Sequence, residues 1–364
     1  MALAVVRTIG SARRYKSPSA QVLEDFEQEL VDQYCLAAVG AGLTDQYNAG
    51  ERAMVFRFLR HLSRPLWTAT PDDGDRFLAW ARREAGWAHS TIEAEAGCLA
   101  RFYAFIIDRY QGEIHALTGT AVTQPIDEFN RPAKGYHMPV RVPPTEQDVR
   151  MLFDNWRNWL PHARKFLPAS RDYLAASLWR RAGLRISETV YLDIRDWRPD
   201  LGERGKLHVR FGKGSRGRGP KTRIIPAIND VDTLMDWWLG DVRHQFGQDW
   251  SNPDAPMLPS ERRVKETGAC GRAGVDALRS GLAFAVAKWL PGWVGRLTPH
   301  TLRHFCASLL YARGLDLKAI QDLLGHVWLS TTTRYIHVHD DHIEQAWMAA
   351  NARVATRLTL DEGR

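Results

Sequence analysis

Residue types able to handle a phosphate recur in the second half of the chain, in the order Arg185, Lys213, His300, Arg303, His326, Tyr335. In "PHTLRH", His300 and Arg303 stand three apart, which puts both on one helix face. The segment lies at a helix start, where backbone N–H groups and the dipole also favour an anion. A solvated polar face and a phosphate-binding pair both fit that spacing. In "GLRISE", Arg185 and Glu188 have the same separation. Glu188 is either an ordinary helix ion-pair partner or the carboxylate that orients a phosphate-binding guanidinium. Lys213 falls at a strand end, from which a hairpin would aim it into a cleft. In "LLGHVWLSTTTRYIHV", Tyr335 follows His326 by nine residues. A free phenol has a pKa of about 10, so only about a thousandth is ionised at neutral pH. Tyr335 is therefore a nucleophile only if the rest of the chain gathers positive charge around it. His337, His339 and His342 follow, but the tyrosine explains that segment better than a metal site does.

The bulk properties suit such chemistry without specifying it. The 364 residues are 45% hydrophobic and 25% charged, ordinary for a folded soluble protein. The net charge of +7 and pI of about 9.3 favour a polyanionic partner, with nucleic acid foremost. No apolar run reaches the roughly 18 residues of a membrane span, and no secretory cleavage pattern follows "MALAVV". Cys35, Cys98, Cys270 and Cys306 form no CxxC pair, which argues against zinc and fits a reducing cytoplasm.

The elements that must position these residues read as α+β, mainly helical with a small β-hairpin. Residues 1–20 form a basic, Gly/Ser-containing tail. Residues 21–112 carry helical periodicity in about four segments, one of them opened by a Ser90–Glu93 capping box. Pro125, Pro132, Pro139, Pro143 and Pro144 interrupt residues 113–144, which are expected to be a linker. Residues 145–364 form the second domain, opened by Thr145 as a helix cap. "SRDYLAASLWRRAGLRISETVYLDIRDW" reads as one long helical stretch. "KLHVRFGK" and "KTRIIPA" read as strands joined by the loop "GSRGRGP". Arg210, Arg216, Arg218 and Arg223 belong to this hairpin, as a solvated set or as contacts to a DNA backbone. Thr298, Pro299 and Gly314 bracket the helix of His300 and Arg303. Residues 342–358 have helical character.

Taken together, the ordered set resembles the tyrosine recombinase (phage integrase) family, whose members include Cre and Xer enzymes. The resemblance spans most of residues 20–345 and is strongest in "LTPHTLRHFCASLLYARGLDLKAIQDLLGHVWLSTTTRYIHV". It implies a helical core-binding domain and a catalytic domain that clamp duplex DNA. It also implies attack by Tyr335 on a DNA phosphate, giving a 3′-phosphotyrosine and a free 5′-hydroxyl, without metal, ATP or other cofactor. Arg185 and Arg303 would hold the non-bridging oxygens, His326 would donate to the phosphate, and His300 would assist proton removal. Lys213 would protonate the leaving oxygen. The family pattern "GKGxKxR" is lengthened here to "GKGSRGRGPKTR", which makes Lys221 the alternative acid. The implied assembly is a homo-tetramer on two DNA sites, with the 342–358 helix packed on its own domain or on a neighbour. A directionality or accessory factor is a further possible partner. The implied role is integration, excision or resolution of a mobile element. The competing readings are a type IB topoisomerase-like enzyme and a catalytically silent DNA-binding protein.

Overall fold

The computed structural model describes residues 19–133, 143–212, 221–325 and 348. Residues 19–133 form one compact unit and the described residues from 143 to 325 another. The protein is mainly helical with small antiparallel sheets, as its periodicity predicts.

The first unit contains α1 (Ala20–Gly40), α2 (Asp45–Leu62), α3 (Pro71–Arg83) and α4 (His89–Thr118). Ser19 and Thr44 cap α1 and α2 through their hydroxyl oxygens. The helices bury an aromatic core in which Phe58 meets Phe77 and Tyr103 edge-on, at 5.2 and 6.0 Å between ring centroids. Two details differ from the sequence expectation. Ala88 is the N-cap of α4, so Ser90 already lies inside the helix and the Ser90–Glu93 box does not form. The helix also continues past residue 112, because nothing breaks it before Gly119, whose φ is 73°. Val122 and Ile126 then join the same core. The first part of the stretch expected to be linker is thus helix and packed chain, while residues 134–142 lie outside the described residues.

In the second unit, Thr145 and Asp148 form a capping box for α5 (Glu146–Trp159). Helix α6 (Phe166–Arg181) is buried on nearly every side, with Leu174, Leu178 and Trp179 fully inaccessible. There follow α7 (Ile186–Val190), then β1 (Trp197–Arg198), β2 (Lys206–Gly212) and β3 (Lys221–Pro226), an antiparallel sheet in chain order. Next come α8 (Val231–Trp237), a two-stranded sheet of β4 (Pro259–Arg263) and β5 (Cys270–Arg272), and α9 (Val275–Trp289). The last described helices are α10 (Pro299–Ala312) and α11 (Leu317–Leu324). Both α9 and α10 pack on α6. Thr298 caps α10 with Pro299 at its first position, and Gly314 follows in the left-handed region.

The long helix expected across residues 170–197 is instead two. It breaks at Gly183, whose φ is 64°, so that Arg185 and Glu188 sit on the short second piece.

Candidate active site

The break after α6 creates the site. A Cβ on Gly183 would lie 2.5 Å from Leu324 Cδ2, so only glycine lets the α6–α7 turn meet the end of α11. The Gly183 carbonyl accepts a hydrogen bond of 2.5 Å from Arg303 Nη1, which ties α10 to the same turn. Arg185 is the N-cap of α7, and Glu188 reaches back to accept from its backbone N–H at 2.8 Å. Arg185 Nη1 also donates to Glu188 Oε1 at 2.7 Å. The pair is therefore built into a helix start rather than laid along a solvated helix face.

Glu188 is 2% exposed, and three guanidiniums converge on it. Arg223 grips it with both terminal nitrogens, at 2.8 Å to Oε1 and 2.9 Å to Oε2. Arg303, itself 1% exposed, holds Nη1 3.8 Å from Oε2 and donates from Nη2 to the Leu324 carbonyl at 2.7 Å. A buried carboxylate is costly unless paired and hydrogen-bonded. Burial indeed pushes the Glu188 carboxyl up, but the bonds and charge of Arg223, followed by Arg185, outweigh it. They hold its pKa down to about 2. Three positive groups around one negative group leave two positive charges in excess among the described residues.

This cluster borders a cleft of about 200 Å³ lined by Arg185, Lys221, Arg223, Gly212 and Gly325, among others, with Asp322 as its acidic residue. Gly212 immediately precedes Lys213, and Gly325 immediately precedes His326. Lys221 stands opposite Gly212 in the β2–β3 register. The structure thus brings together Arg185, Glu188, Arg303, Arg223 and Lys221. His300 is exposed on the first turn of α10, its ring 4.5 Å from that of His304 and nearly perpendicular to it. Lys213, His326, Tyr335, Arg216 and Arg218 lie outside the described residues, as do His337, His339 and His342.

Two arginines of the hairpin differ from the solvated or DNA-contacting set expected of them. Arg223 belongs to β3 and faces inward onto Glu188, with its side chain 11% exposed. Arg210 is bound to Asp193 and Asp196, the latter at 2.6 Å from Nε. His304 packs against His300, an arrangement that no sequence motif marks. It stands one turn further along the same helix, the spacing that makes two rings meet.

A buried carboxylate ringed by arginines, where a helix break, a hairpin and two helix ends meet, defines a site built to receive an anion. The family model described as "Phage integrase family" matches residues 145–342, and the chain belongs to that family. Tyrosine recombinase XerC of Methylobacterium nodulans is 30% identical over 306 residues, covering 82% of this chain and 84% of the relative. The enzyme of the same name from Herpetosiphon aurantiacus is 27% identical over 320 residues, covering 86% and 92%. Among solved structures, the Tn1549 transposon integrase in complex with transposon right-end DNA matches with a TM-score of 0.63 at 18% identity. It covers 90% of this chain and 99% of its own. XerH bound to a palindromic difH substrate matches with a TM-score of 0.62 at 18% identity, covering 87% and 82%. These neighbours share the fold.

Proposed function

We propose that this protein is a site-specific DNA recombinase that cleaves and rejoins strands through a covalent 3′-phosphotyrosine at Tyr335. The observation that carries the reading is the surplus of positive charge clustered on Glu188, beside a cleft bordered by Gly212 and Gly325, the neighbours in sequence of Lys213 and His326. A phosphodiester under attack gains negative charge on its non-bridging oxygens, and fixed guanidiniums stabilise that charge without reorganising. Arg185 takes one oxygen, a planar task that lysine performs poorly, and Arg303, held here by the Gly183 and Leu324 carbonyls, takes the other by giving up one of those bonds. Glu188 stays ionised throughout the neutral range and keeps the arginines aimed. The same field favours the Tyr335 phenolate. His300 assists removal of the phenol proton, and His326 donates to the phosphate. Lys213 protonates the departing 5′-oxygen, with Lys221 as the alternative acid.

Attack by the Tyr335 oxygen breaks the P–O5′ bond and forms a P–O bond to tyrosine. The proton from the phenol and the proton gained by the 5′-oxygen balance. The reverse attack by a 5′-hydroxyl from another duplex completes exchange, with no energy source beyond the conserved ester. This chemistry belongs to a homo-tetramer on two DNA sites, serving integration, excision or resolution of a mobile element. Relatives named for tyrosine recombination and neighbours solved with DNA support the reading.

The test is covalent trapping. Wild-type protein is incubated, without metal or ATP, with nicked suicide duplexes enriched by its own binding from genomic fragments. A denaturation-resistant adduct mapped to Tyr335 through a 3′-phosphate is expected. Specific binding with no adduct would turn the assignment to a catalytically silent DNA-binding protein.

A further inference from the structure

We propose that Arg223 is a positioning residue for cleavage: it locks Glu188 and the end of α11 into one unit, and thereby holds the arginine cluster and the last turn of α11 in one fixed geometry. The inference rests on the strand-cleavage reading above.

Three independent contacts meet in this one side chain. Its two terminal nitrogens form a fork on the Glu188 carboxylate, at 2.8 and 2.9 Å. Its Nε donates to the Leu323 carbonyl at 2.8 Å, at the C-terminus of α11. Its side chain also lies close to Gly325, where an added Cβ would approach Cδ to 3.0 Å, Nη1 to 3.2 Å and Nε to 3.3 Å. Gly325 is left-handed, with a φ of 66°, and closes α11 just before His326. One residue of β3 therefore joins α7, through Glu188, to the last turn of α11. A helix C-terminus exposes unsatisfied carbonyls, and here a cation fills that role.

Arg185 makes the contrast. Among the described residues its hydrogen bonds to side chains and carbonyls run only from Nη1, to Glu188 and to the Leu324 carbonyl at 3.5 Å. Its Nε and Nη2 remain for a phosphate. All three nitrogens of Arg223 are turned to protein. Arg185 is thus suited to touch substrate, and Arg223 to aim the groups that do. A lysine at 223 could restore charge but not the three-way geometry.

The experiment compares wild type, Arg223→Lys and Arg223→Ala. Single-turnover cleavage and equilibrium binding are measured on the enriched suicide duplex, and backbone hydrogen exchange on the DNA-free proteins. Cleavage should fall by about ten- to a hundredfold in both variants, with the dissociation constant within about threefold of wild type. Removing Arg223 raises the Glu188 pKa, so the variants should lose cleavage on the acid side more steeply than wild type, where only the histidines titrate in that range. Added guanidinium ion should restore Arg223→Ala more than Arg223→Lys, because only the former leaves a vacant slot. Exchange should rise at 321–325 and stay unchanged along α10.

Equal losses in binding and cleavage would make Arg223 a phosphate contact and overturn the proposal. Unchanged cleavage, or exchange raised evenly through the unit, would overturn it as well. If Arg223→Ala fails to fold, the pH profile and exchange pattern of Arg223→Lys decide. A wild-type protein that forms no adduct refutes the recombinase reading instead, while the exchange comparison still tests the clamp.

Discussion

Two of the buried glutamates, Glu95 in the first unit and Glu188 in the second, have their acidities shifted in opposite directions. Glu95 in α4 is inaccessible to solvent and has one arginine, Arg57, at 2.8 Å. Burial pushes its carboxyl up to about 7 against the pull of that single charge. Glu188 is almost as deeply buried, yet Arg223 and Arg185 overcome the same cost and bring it down to about 2. What separates them is the number and geometry of their cations. One partly exposed guanidinium cannot keep a buried carboxylate ionised at low cost. A fork from Arg223, a bond from Arg185 and a backbone N–H can. Glu95 is thus carried as part of a core, whereas Glu188, like Glu51 with Arg101 and Tyr34 in the first unit, is an acid held ionised by its partners, and it alone of the three gathers three guanidiniums.

The largest test of this contrast is to remove a cation from each side. Arg303→Ala should reduce single-turnover cleavage by about a thousandfold or more, since it deletes both the proposed phosphate contact and the tie between the Gly183 turn and the end of α11. Arg57→Ala should leave cleavage within about twofold. A comparable loss in both would mean that the second unit has no special claim to the chemistry.

Stability gives the next contrast. Glu188→Gln leaves one buried and two partly buried guanidiniums without their carboxylate and should destabilise the second unit by about 3 kcal/mol, read by denaturant unfolding. Glu95→Gln should instead stabilise the first unit above neutral pH, by roughly 1–2 kcal/mol. A loss of stability there would show that Glu95 is ionised and firmly paired.

The pH dependences should run in opposite directions. Glu95 has a folded pKa above its unfolded value, so its favourable contribution is complete below about 4.5 and disappears as pH rises through about 7. Glu188 has a folded pKa below its unfolded value. Its contribution is complete above about 4.5 and is lost as pH falls through about 2. Differences in unfolding free energy between wild type and each Gln variant, taken across pH, should isolate the two trends. The smallest effect belongs to His304→Asn. It removes the ring packed on His300, and cleavage should fall by about two- to fivefold with binding unchanged.

The convergence of Arg185, Glu188 and Arg303 was legible in the sequence because these residue types occur in a telling order. Caps and stops placed the helix of His300 and Arg303 correctly, since Thr298, Pro299 and Gly314 each act through local backbone geometry. Arg223 was harder to read. Ile224 and Ile225 are adjacent and both apolar, so alternation alone does not say which face of β3 is inward. Only the register, with a shift between Val209 and Gly212, places Ile225 and therefore Arg223 on the buried side. The break at Gly183 was similarly ambiguous, because a lone glycine is tolerated within a helical pattern. Its cause is the close approach of Leu324, a contact more than a hundred residues away in sequence. The β4–β5 hairpin gave little signal because most of β4 beyond Pro259 is polar and exposed.

The most direct test of the contrast is a carboxyl 13C NMR titration of the DNA-free protein, with Glu95 and Glu188 assigned through their Gln variants. Glu188 should remain ionised down to about pH 3 and Glu95 should titrate near 7. Two midpoints close to 4.5 would contradict the account, because the arginine cluster would then not be what sets the charge of the site.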